Sequence, residues 1–409
     1  MRGASFNDVV IVSALRTPIC KARRGSFKDT LPDDLLTCVF KAVLKETGIA
    51  PSMIQDICIG NVLQPSAGAS MGRVAQFFSG IPETVPLYTT CRMCSSGLQA
   101  VINIAQSIQT GMIDLGLAAG VESLTINPLS IAPPGFVVNP KVGENKLAMD
   151  SLLPMGITSE NVAERYGITR VQQDKMAVES HAKAARAQKN GYFKDEIVPV
   201  KTKITDKDGK ERSITVTADD GVRPGTNMET LSRLKPAFKP GGSTTAGNAS
   251  QVSDGAAAVI VTRRATADAL GLPVLGALKS YAVVGVPPDV MGIGPAFAIP
   301  IALQRAGLGI SDIDIFELNE AFASQATYCV EKLGIPYEKL NPKGGAIALG
   351  HPVGCTGARQ VATLLHELKR RGKRAYGVVS MCMGTGMGAA AVFEYPGQIG
   401  ADDRPMSRL

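Results

Sequence analysis

No apolar run in this chain approaches the ~18 to 20 residues that a membrane-crossing helix needs, so no spanning helix is expected. The eight cysteines are scattered without paired spacing. That excludes a disulfide framework and points to a reducing compartment. Histidine occurs only three times, so each can be weighed singly. No block of one charge dominates: the net charge is +7, with basic residues dispersed. The densest cluster, Lys369 to Arg374, closes a helical pattern and reads as a charged last turn. No nucleic-acid partner is therefore expected, whereas a mildly basic surface suits polyanionic small molecules. Met1 to Asn7 is short and polar and leads at once into a strand, so no signal peptide is expected.

What is present describes a soluble globular protein, with 45% hydrophobic and 19% charged residues. At 409 residues the chain exceeds one small core, and two or three domains are expected. The first stretch alternates apolar strands (Val9 to Ala14, Ile54 to Val62, Val85 to Thr90, Ile113 to Gly120) with helical patterns (Asp33 to Glu46, Met71 to Ser79, Gly97 to Gln109). Such alternation predicts parallel βαβ units. From about residue 124 to 245 the chain turns rich in Pro, Asn, Asp and Lys, with helices over Ser159 to Tyr166 and Gln172 to Asn190. A turn at Asp206 to Lys210 predicts a hairpin there. The segment reads as an insertion. After Gly255 the alternation resumes: strands over Ala256 to Thr262, Val274 to Val286, Ile313 to Leu318 and Tyr376 to Met381. Helices are predicted over Ile299 to Ala306, with Pro300 in the first turn, Ala321 to Leu333 and Gly354 to Arg371.

The two α/β stretches resemble each other. Asp56 to Asn61 is similar to Asp314 to Asn319, and the helix from Gly97 to the helix from Gly357. A nearly constant offset of about 260 residues implies an internal duplication. Two like halves facing each other would bring the turn at Cys94 close to the turn Gly350 to Gly357.

The chemistry-bearing residues stand at those turns. Cys94 falls just before a helix start, where free N–H groups and the helix dipole favour a thiolate. His351 lies between Gly350 and Pro352, where no packing face explains it, and an imidazole there can take a thiol proton. His181 and His366 lie in helical patterns and read as surface residues. Asn319 and Glu320 follow an apolar strand, and helix capping by Asn319 is the bland alternative. Cys382 ends another strand ahead of Gly384, Thr385 and Gly386, whose N–H groups could hold an oxyanion.

Cys94-Ser95-Ser96-Gly97, Asn319-Glu320-Ala321-Phe322, Gly350-His351-Pro352 and Cys382-Met383-Gly384-Thr385-Gly386 resemble, in order, the four signature motifs of the thiolase family. Pro154 to Asn161 is similar to the degradative 3-ketoacyl-CoA branch, since biosynthetic members usually carry His where Pro154 stands. Ser407-Arg408-Leu409 is one conservative change from the Ser-Lys-Leu peroxisomal address, so the resemblance is closest to the peroxisomal members. It implies an α/β thiolase fold of layers αβαβα, with residues 1–123 completed by 246–272 as one half, 124–245 as an inserted loop domain that binds coenzyme A, and 273–409 as the other half.

The resemblance also implies a ping-pong thiolysis in fatty-acid β-oxidation. Cys94 attacks the 3-keto carbon with His351 as its base, and Cys382 protonates the departing acetyl-CoA enolate and later deprotonates coenzyme A. Asn319, through a water, and His351 would hold the enolate oxygen, and the N–H groups of Cys94 and Gly384 the tetrahedral oxyanion. Arg223, Thr230, Ser250, Met155, Phe238 and Phe322 are implied on the substrate and coenzyme A side. Coenzyme A would be a co-substrate, with no permanent cofactor and no metal. A homodimer or tetramer is implied, and recognition of the C-terminal tripeptide by a peroxisomal import receptor, the alternative location being the cytoplasm. The alternatives are acetoacetyl-CoA synthesis by the reverse chemistry and a non-enzymatic acyl-CoA or lipid carrier on the same fold. One departure stands out: Cys91 stands where the family usually has Asn, making a C-x-x-C with Cys94; one reading is a disulfide that switches the enzyme off under oxidation, and the favoured one is a cysteine that fills a small buried site.

Overall fold

A computed structural model describes residues 8–129 and 137–397. The first α/β stretch contains β1 (Val9–Arg16), the short β2 (Cys20–Lys21), α1 (Pro32–Thr47), β3 (Ile57–Gly60), α2 (Ala69–Phe78), β4 (Leu87–Thr90), α3 (Ser96–Gln109) and β5 (Leu115–Ser123). The intervening segment carries α4 (Lys146–Asp150), α5 (Met155–Tyr166), α6 (Arg170–Lys189), the hairpin β6 (Val200–Thr205) and β7 (Glu211–Val216), and α7 (Met228–Ser232). β8 (Ser253–Arg263) and α8 (Arg264–Ala269) return to the first half. The second half follows with β9 (Gly276–Gly285), α9 (Gly294–Ala306), β10 (Ile315–Leu318), α10 (Ala323–Leu333), α11 (Ala346–Leu349), α12 (Val353–Arg371), β11 (Ala375–Met383) and β12 (Met387–Tyr395).

The strands run in the order β4-β3-β5-β8-β1 and β10-β11-β12-β9, joined where β1 meets β9 over Val10–Ala277 and Ile11–Gly276. Each half pairs parallel strands at its outer side and antiparallel strands towards the join. Leu340 bridges Phe316 in parallel, at the place β4 holds beside β3. The duplication read from the sequence is thus present as topology. Helices α3 and α12 pack on each other, and α12 touches strands of both halves. Their apolar faces (Leu98, Ile102 and Ala105; Val361, Leu364 and Leu365) fill the central core between the two runs of sheet. α1 covers the outside of the first half, α9 and α10 the outside of the second. The layers are therefore helix, sheet, helix pair, sheet, helix. Among the described residues no helix is long and apolar enough to cross a membrane.

Local chemistry explains most boundaries. α1 starts on Pro32 with Asp33 and Asp34 in its first turn and stops at Gly48, whose φ of 67° suits a residue without Cβ. α6 begins with a Thr169–Gln172 capping box. The structure corrects three sequence expectations here. α9 begins at Gly294, with Pro295 in its first turn, so Pro300 lies inside the helix; the flanking apolar packing of Ala298, Ile299 and Ala302 holds it there. His181 and His366 are buried, at 2% and 7% exposure. Each carries a polar partner inside: Arg223 N–H donates to His181 Nδ1, and His366 Nε2 meets the carbonyl of Ala14 at 2.9 Å. Strand β12 was not read from the sequence at all. Its Gly-Ala-Ala-Ala opening has little β propensity, and only pairing with β9 and β11 makes it a strand.

Candidate active site

Backbone contact between the two central helices assembles the site. A Cβ on Gly357 would lie 2.2 Å from the Leu98 nitrogen, and one on Gly97 would lie 2.8 Å from both Ala358 N and Gly354 O. The helices can cross this closely only because both positions are glycine. The crossing lies at their N-terminal turns. Cys94 precedes α3 by two residues and His351 precedes α12 by two, so the thiol and the imidazole come from equivalent places in the two halves. Glu122 and Cys382 are a second such pair, each the eighth of nine residues in β5 and β11.

The turn into α3 is tightly held. Ser95 and Ser96 N–H donate to Arg92 O and Met93 O, both at 3.0 Å. Met93 takes a left-handed φ of 47°. Thr385, just past Gly384, does the same at 71°. Non-glycine residues rarely adopt this conformation, and these two lie beside Cys94 and in the turn after Cys382.

The main-chain N–H groups of Gly384 and of Cys94 itself act electrostatically on the Cys94 sulfur. They favour the thiolate, but burial outweighs them and pushes the thiol up to about 11. This corrects the expectation of a readily ionised thiol. Cys94 packs with the apolar Ala22, Leu124 and Val353, which withdraw solvent from it. Burial also holds Cys382 well above its ordinary value, and the nearby Cys94 charge adds to that. The resting pair is thus two neutral thiols.

His351 is neutral too. Burial, helped by the Arg359 charge, lowers it to about 3. Its Nδ1 lies 2.7 Å from Thr356 Oγ1, and that hydroxyl donates its proton to Pro352 O at 3.1 Å. With the hydroxyl proton assigned to Pro352 O, the imidazole N–H falls on Nδ1 and Thr356 Oγ1 accepts it. Nε2 then presents its lone pair and accepts from the Asn319 amide at 3.4 Å. Asn319 does not cap a helix, because α10 starts from Phe322. Its main-chain N–H donates to Ser380 O, and its Oδ1 is buried with no partner among the described residues. A buried amide oxygen left open in this way fits a water or a ligand donor.

Two buried carboxyls brace the constellation. Glu122 accepts from the N–H groups of Val62, Leu63 and Gly354 and from Gln64, and burial raises it to about 7. Glu320 accepts from Ser180, Asn341 and the Ile347 N–H, holding the turn that leads to His351. Sequence reading missed Glu122 and Thr356. Both lie in motifs too short to stand out, and their roles exist only across the two halves.

The residues expected on the ligand side divide. Met155, Ala249, Met291, Ala321, Phe322 and Cys382 form one apolar cluster, and a Cβ on Gly384 would meet Met155 Sδ at 3.5 Å. Phe238 stacks edge-on against Phe322 at 6.2 Å. The segment 248–250 is stitched to the Asn319 motif: Ala323 N–H donates to Asn248 O, and Ser250 N–H to Ala321 O. These residues are brought to the thiols. Arg223 and Thr230 stand at the exposed outer part, where the Thr230 hydroxyl serves the Asn227 capping box of α7. Cys91 is exposed, which corrects the reading of a small buried site, and Cys94 is half-buried; both are free thiols.

This arrangement defines a class: a thiol and a neutral imidazole at equivalent helix starts and a second thiol at a strand end, on a duplicated five-layered fold. Residues 9–265 match the thiolase N-terminal domain and residues 272–395 the thiolase C-terminal domain. The chain belongs to the thiolase family. It is 66% identical to the human "3-ketoacyl-CoA thiolase, peroxisomal" over 96% of this chain and 92% of that one. It is 58% identical to the Arabidopsis thaliana "3-ketoacyl-CoA thiolase 2, peroxisomal" over 95% and 84%. Among solved structures, the dimeric peroxisomal thiolase of Saccharomyces cerevisiae superimposes with a TM-score of 0.89 at 49% identity, covering 96% of this chain and 98% of that one. Human mitochondrial 3-ketoacyl-CoA thiolase in complex with CoA gives 0.84 at 37% identity, covering 95% and 98%.

Proposed function

We propose that this chain is a 3-ketoacyl-CoA thiolase of fatty-acid β-oxidation, an acyltransferase that cleaves its substrate with coenzyme A to acetyl-CoA and a shortened acyl-CoA. The observation that carries the reading is the meeting of the Cys94 and His351 turns at the Gly97–Gly357 helix crossing, with His351 Nε2 facing the Asn319 amide at 3.4 Å.

Cys94 is the nucleophile. Both it and His351 rest neutral, so the proton passes to Nε2 as sulfur attacks the 3-keto carbon. The oxyanion formed there lies against the N–H groups of Cys94 and Gly384, each donor contributing about 10²- to 10³-fold. The C2–C3 bond breaks, leaving an acyl thioester on Cys94 and the enolate of acetyl-CoA. Asn319 and His351 hold the enolate oxygen, and Cys382 gives its proton to the enolate carbon. The Cys382 thiolate then takes the proton of incoming coenzyme A. That thiolate attacks the Cys94 thioester, and His351 returns its proton to the leaving Cys94. Two thiols with separate duties complete the cycle without a permanently bound cofactor, and coenzyme A is co-substrate.

Segment 124–245 serves as the coenzyme A loop domain between the half 1–123, completed by 246–272, and the half 273–409. The return of β8 into the first sheet, between β1 and β5, supports that division. Ser250 and Phe238 are assigned to the pantetheine side, Arg223 and Thr230 to the nucleotide end, and Met155 and Phe322 to the acyl side. Replacing Cys94 by Ala tests the reading: loss of at least about 10³-fold in thiolysis supports it, and retained acetyl-CoA release overturns it.

The assembly is proposed to be a homodimer or a pair of dimers. Among the described residues β4 pairs on one side only, with exposed Phe77 and Phe78 on the adjacent α2; light scattering checks it. The location is proposed to be the peroxisome, as for the curated relatives. Ser407-Arg408-Leu409 lies outside the described residues, and import of a fluorescent fusion with and without those three residues tests its part.

A further inference from the structure

Glu122 is wholly buried at the eighth position of β5, and Cys382 holds the matching position of β11. Each reaches across to the helix start of the other half. Cys382 lies within range of the Cys94 charge, just ahead of α3. Glu122 Oε2 accepts from the Gly354 N–H at 3.1 Å, in the first turn of α12. A third segment fills the rest of the carboxyl. Val62 N–H donates to Oε2 at 3.1 Å, Leu63 N–H to Oε1 at 3.2 Å and Gln64 Nε2 to Oε1 at 3.0 Å. A carboxylate offers about four acceptor positions, so these donors occupy it and Glu122 acts only through its partners.

Those partners build the surroundings of the nucleophile. Cys94 packs in a collar of Ala22, Val62, Leu63, Leu124 and Val353. Val62 and Leu63 are themselves donors to Glu122, Val353 precedes the donor Gly354, and Leu124 follows Glu122 by two residues. The join is close. A Cβ on Gly354 would lie 2.6 Å from Val121 O, 2.7 Å from the Asn61 Cα and 2.9 Å from Glu122 Oε2. Only a glycine there lets the three segments meet.

We propose that Glu122 is a positioning residue for Cys94: one carboxylate closes the collar around the sulfur and ties it to the turn that carries His351. The proposal rests on the thiolysis reading above. His351 lies three residues before Gly354, so the bond that holds the collar also holds the base at its distance from the thiol. The Glu122 charge acts in the same sense as the closed collar, against ionisation of the thiol, with burial the larger cause. The other titratable groups that face Cys94 are Cys91, ahead of it, and Cys382, from β11. His351, from the turn before α12, rests neutral. The sulfur therefore keeps its proton until His351 takes it during attack.

Glu122→Gln keeps the shape, sets an amide N–H against N–H donors and removes the charge. In the full-length variant, kcat for acetoacetyl-CoA thiolysis is expected to fall at least about tenfold, with KM within about threefold of the parent. Cys94 is expected to react with iodoacetamide at pH 8 at least about fivefold faster than in the parent, while the buried Cys355 stays unlabelled. Trypsin cleaves after Arg92, so peptide mapping scores Cys94 apart from the exposed Cys91. Glu122→Asp keeps the charge at a shorter reach and is expected to fall between the parent and Glu122→Gln on both readouts. If Glu122→Gln is not recovered folded, Glu122→Asp decides: slower turnover with faster Cys94 labelling supports the proposal, and a parental value of either overturns it. Parental labelling of Cys94 in Glu122→Gln, labelling of Cys355 as fast as that of Cys94, or an unchanged kcat would likewise overturn it. A parent that cleaves no 3-ketoacyl-CoA would overturn the thiolysis reading, and the labelling comparison would still decide the role of Glu122.

Discussion

Gly97 and Gly357 meet backbone to backbone where α3 crosses α12, and this contact sets the separation of the Cys94 and His351 turns. A Cβ on Gly357 would come within 2.2 Å of the Leu98 nitrogen, which has no freedom to move. Gly357→Ala is therefore expected to lower stability by about 1–3 kcal/mol, as overpacking does. It is also expected to cut kcat for thiolysis at least 100-fold by spreading the two turns. Thermal melts and steady-state kinetics on the same preparation check both. A folded variant with parental kcat would show that the helix crossing does not control the site.

Thr356 acts through His351. Its single hydroxyl proton goes to Pro352 O, which leaves Nδ1–H on the imidazole and the lone pair on Nε2. Thr356→Val keeps the volume and removes the acceptor, so the tautomer is no longer selected. The expected result is a 10- to 100-fold loss in kcat, within the roughly 10²- to 10⁴-fold that a positioned base supplies. KM should hardly change. Thr356→Ser should restore kcat to within about threefold of the parent, which a purely steric role would not explain.

Burial, followed by the charges of Arg223 and Lys21, lowers His181 to about 4 in the folded protein. The unfolded chain therefore binds the extra proton between pH about 6.5 and 4, and stability rises with pH across that window. Below it both states are charged and no further loss accrues. In His181→Gln this contribution disappears. Denaturant unfolding at pH 6.5 and 4.5 should show the parent losing more stability than the variant, by up to about 1.4 kcal/mol per pH unit. Equal losses would mean that His181 is not buried neutral.

Cys91 stands exposed three residues before the half-buried Cys94, with the left-handed Met93 between them. Diamide is expected to oxidise the two thiols to a Cys91–Cys94 disulfide, with loss of thiolysis that dithiothreitol reverses. Cys91→Ser should keep its activity through the same treatment. Peptide mapping decides it: a treated parent whose Cys94 still takes up iodoacetamide and still turns over would remove the switch.

Much of the fold was legible because it repeats. Asp56 to Asn61 and Asp314 to Asn319 carry the same strand-ending pattern, and β3 and β10 occupy matching places in their sheets. Apolar runs between Gly and Pro marked most strands to within two or three residues. β12 escaped because a Gly-Ala-Ala-Ala run has no preference of its own. His181 and His366 were misread because helical periodicity reports how one helix is patterned. It does not report whether a second layer, here the Arg223 segment or the end of β1, covers the polar side.

By itself the sequence determined the inventory of the site: two thiols, an imidazole and an amide, each at the end of a strand or the start of a helix. Local chemistry suffices for that, because turns and helix starts are short-range events. The state of those groups was decided by the tertiary structure. Packing of the two halves removed water from Cys94, Cys382 and His351, so thiols that would ionise more readily at an open helix start rest neutral beside a neutral base. The Nδ1–H tautomer and the clamp of Glu122 on the start of α12 likewise depend on atoms more than two hundred residues apart or on a turn closed by the fold. Desolvation and hydrogen-bond direction are properties of what surrounds a residue, and only the folded chain supplies those surroundings.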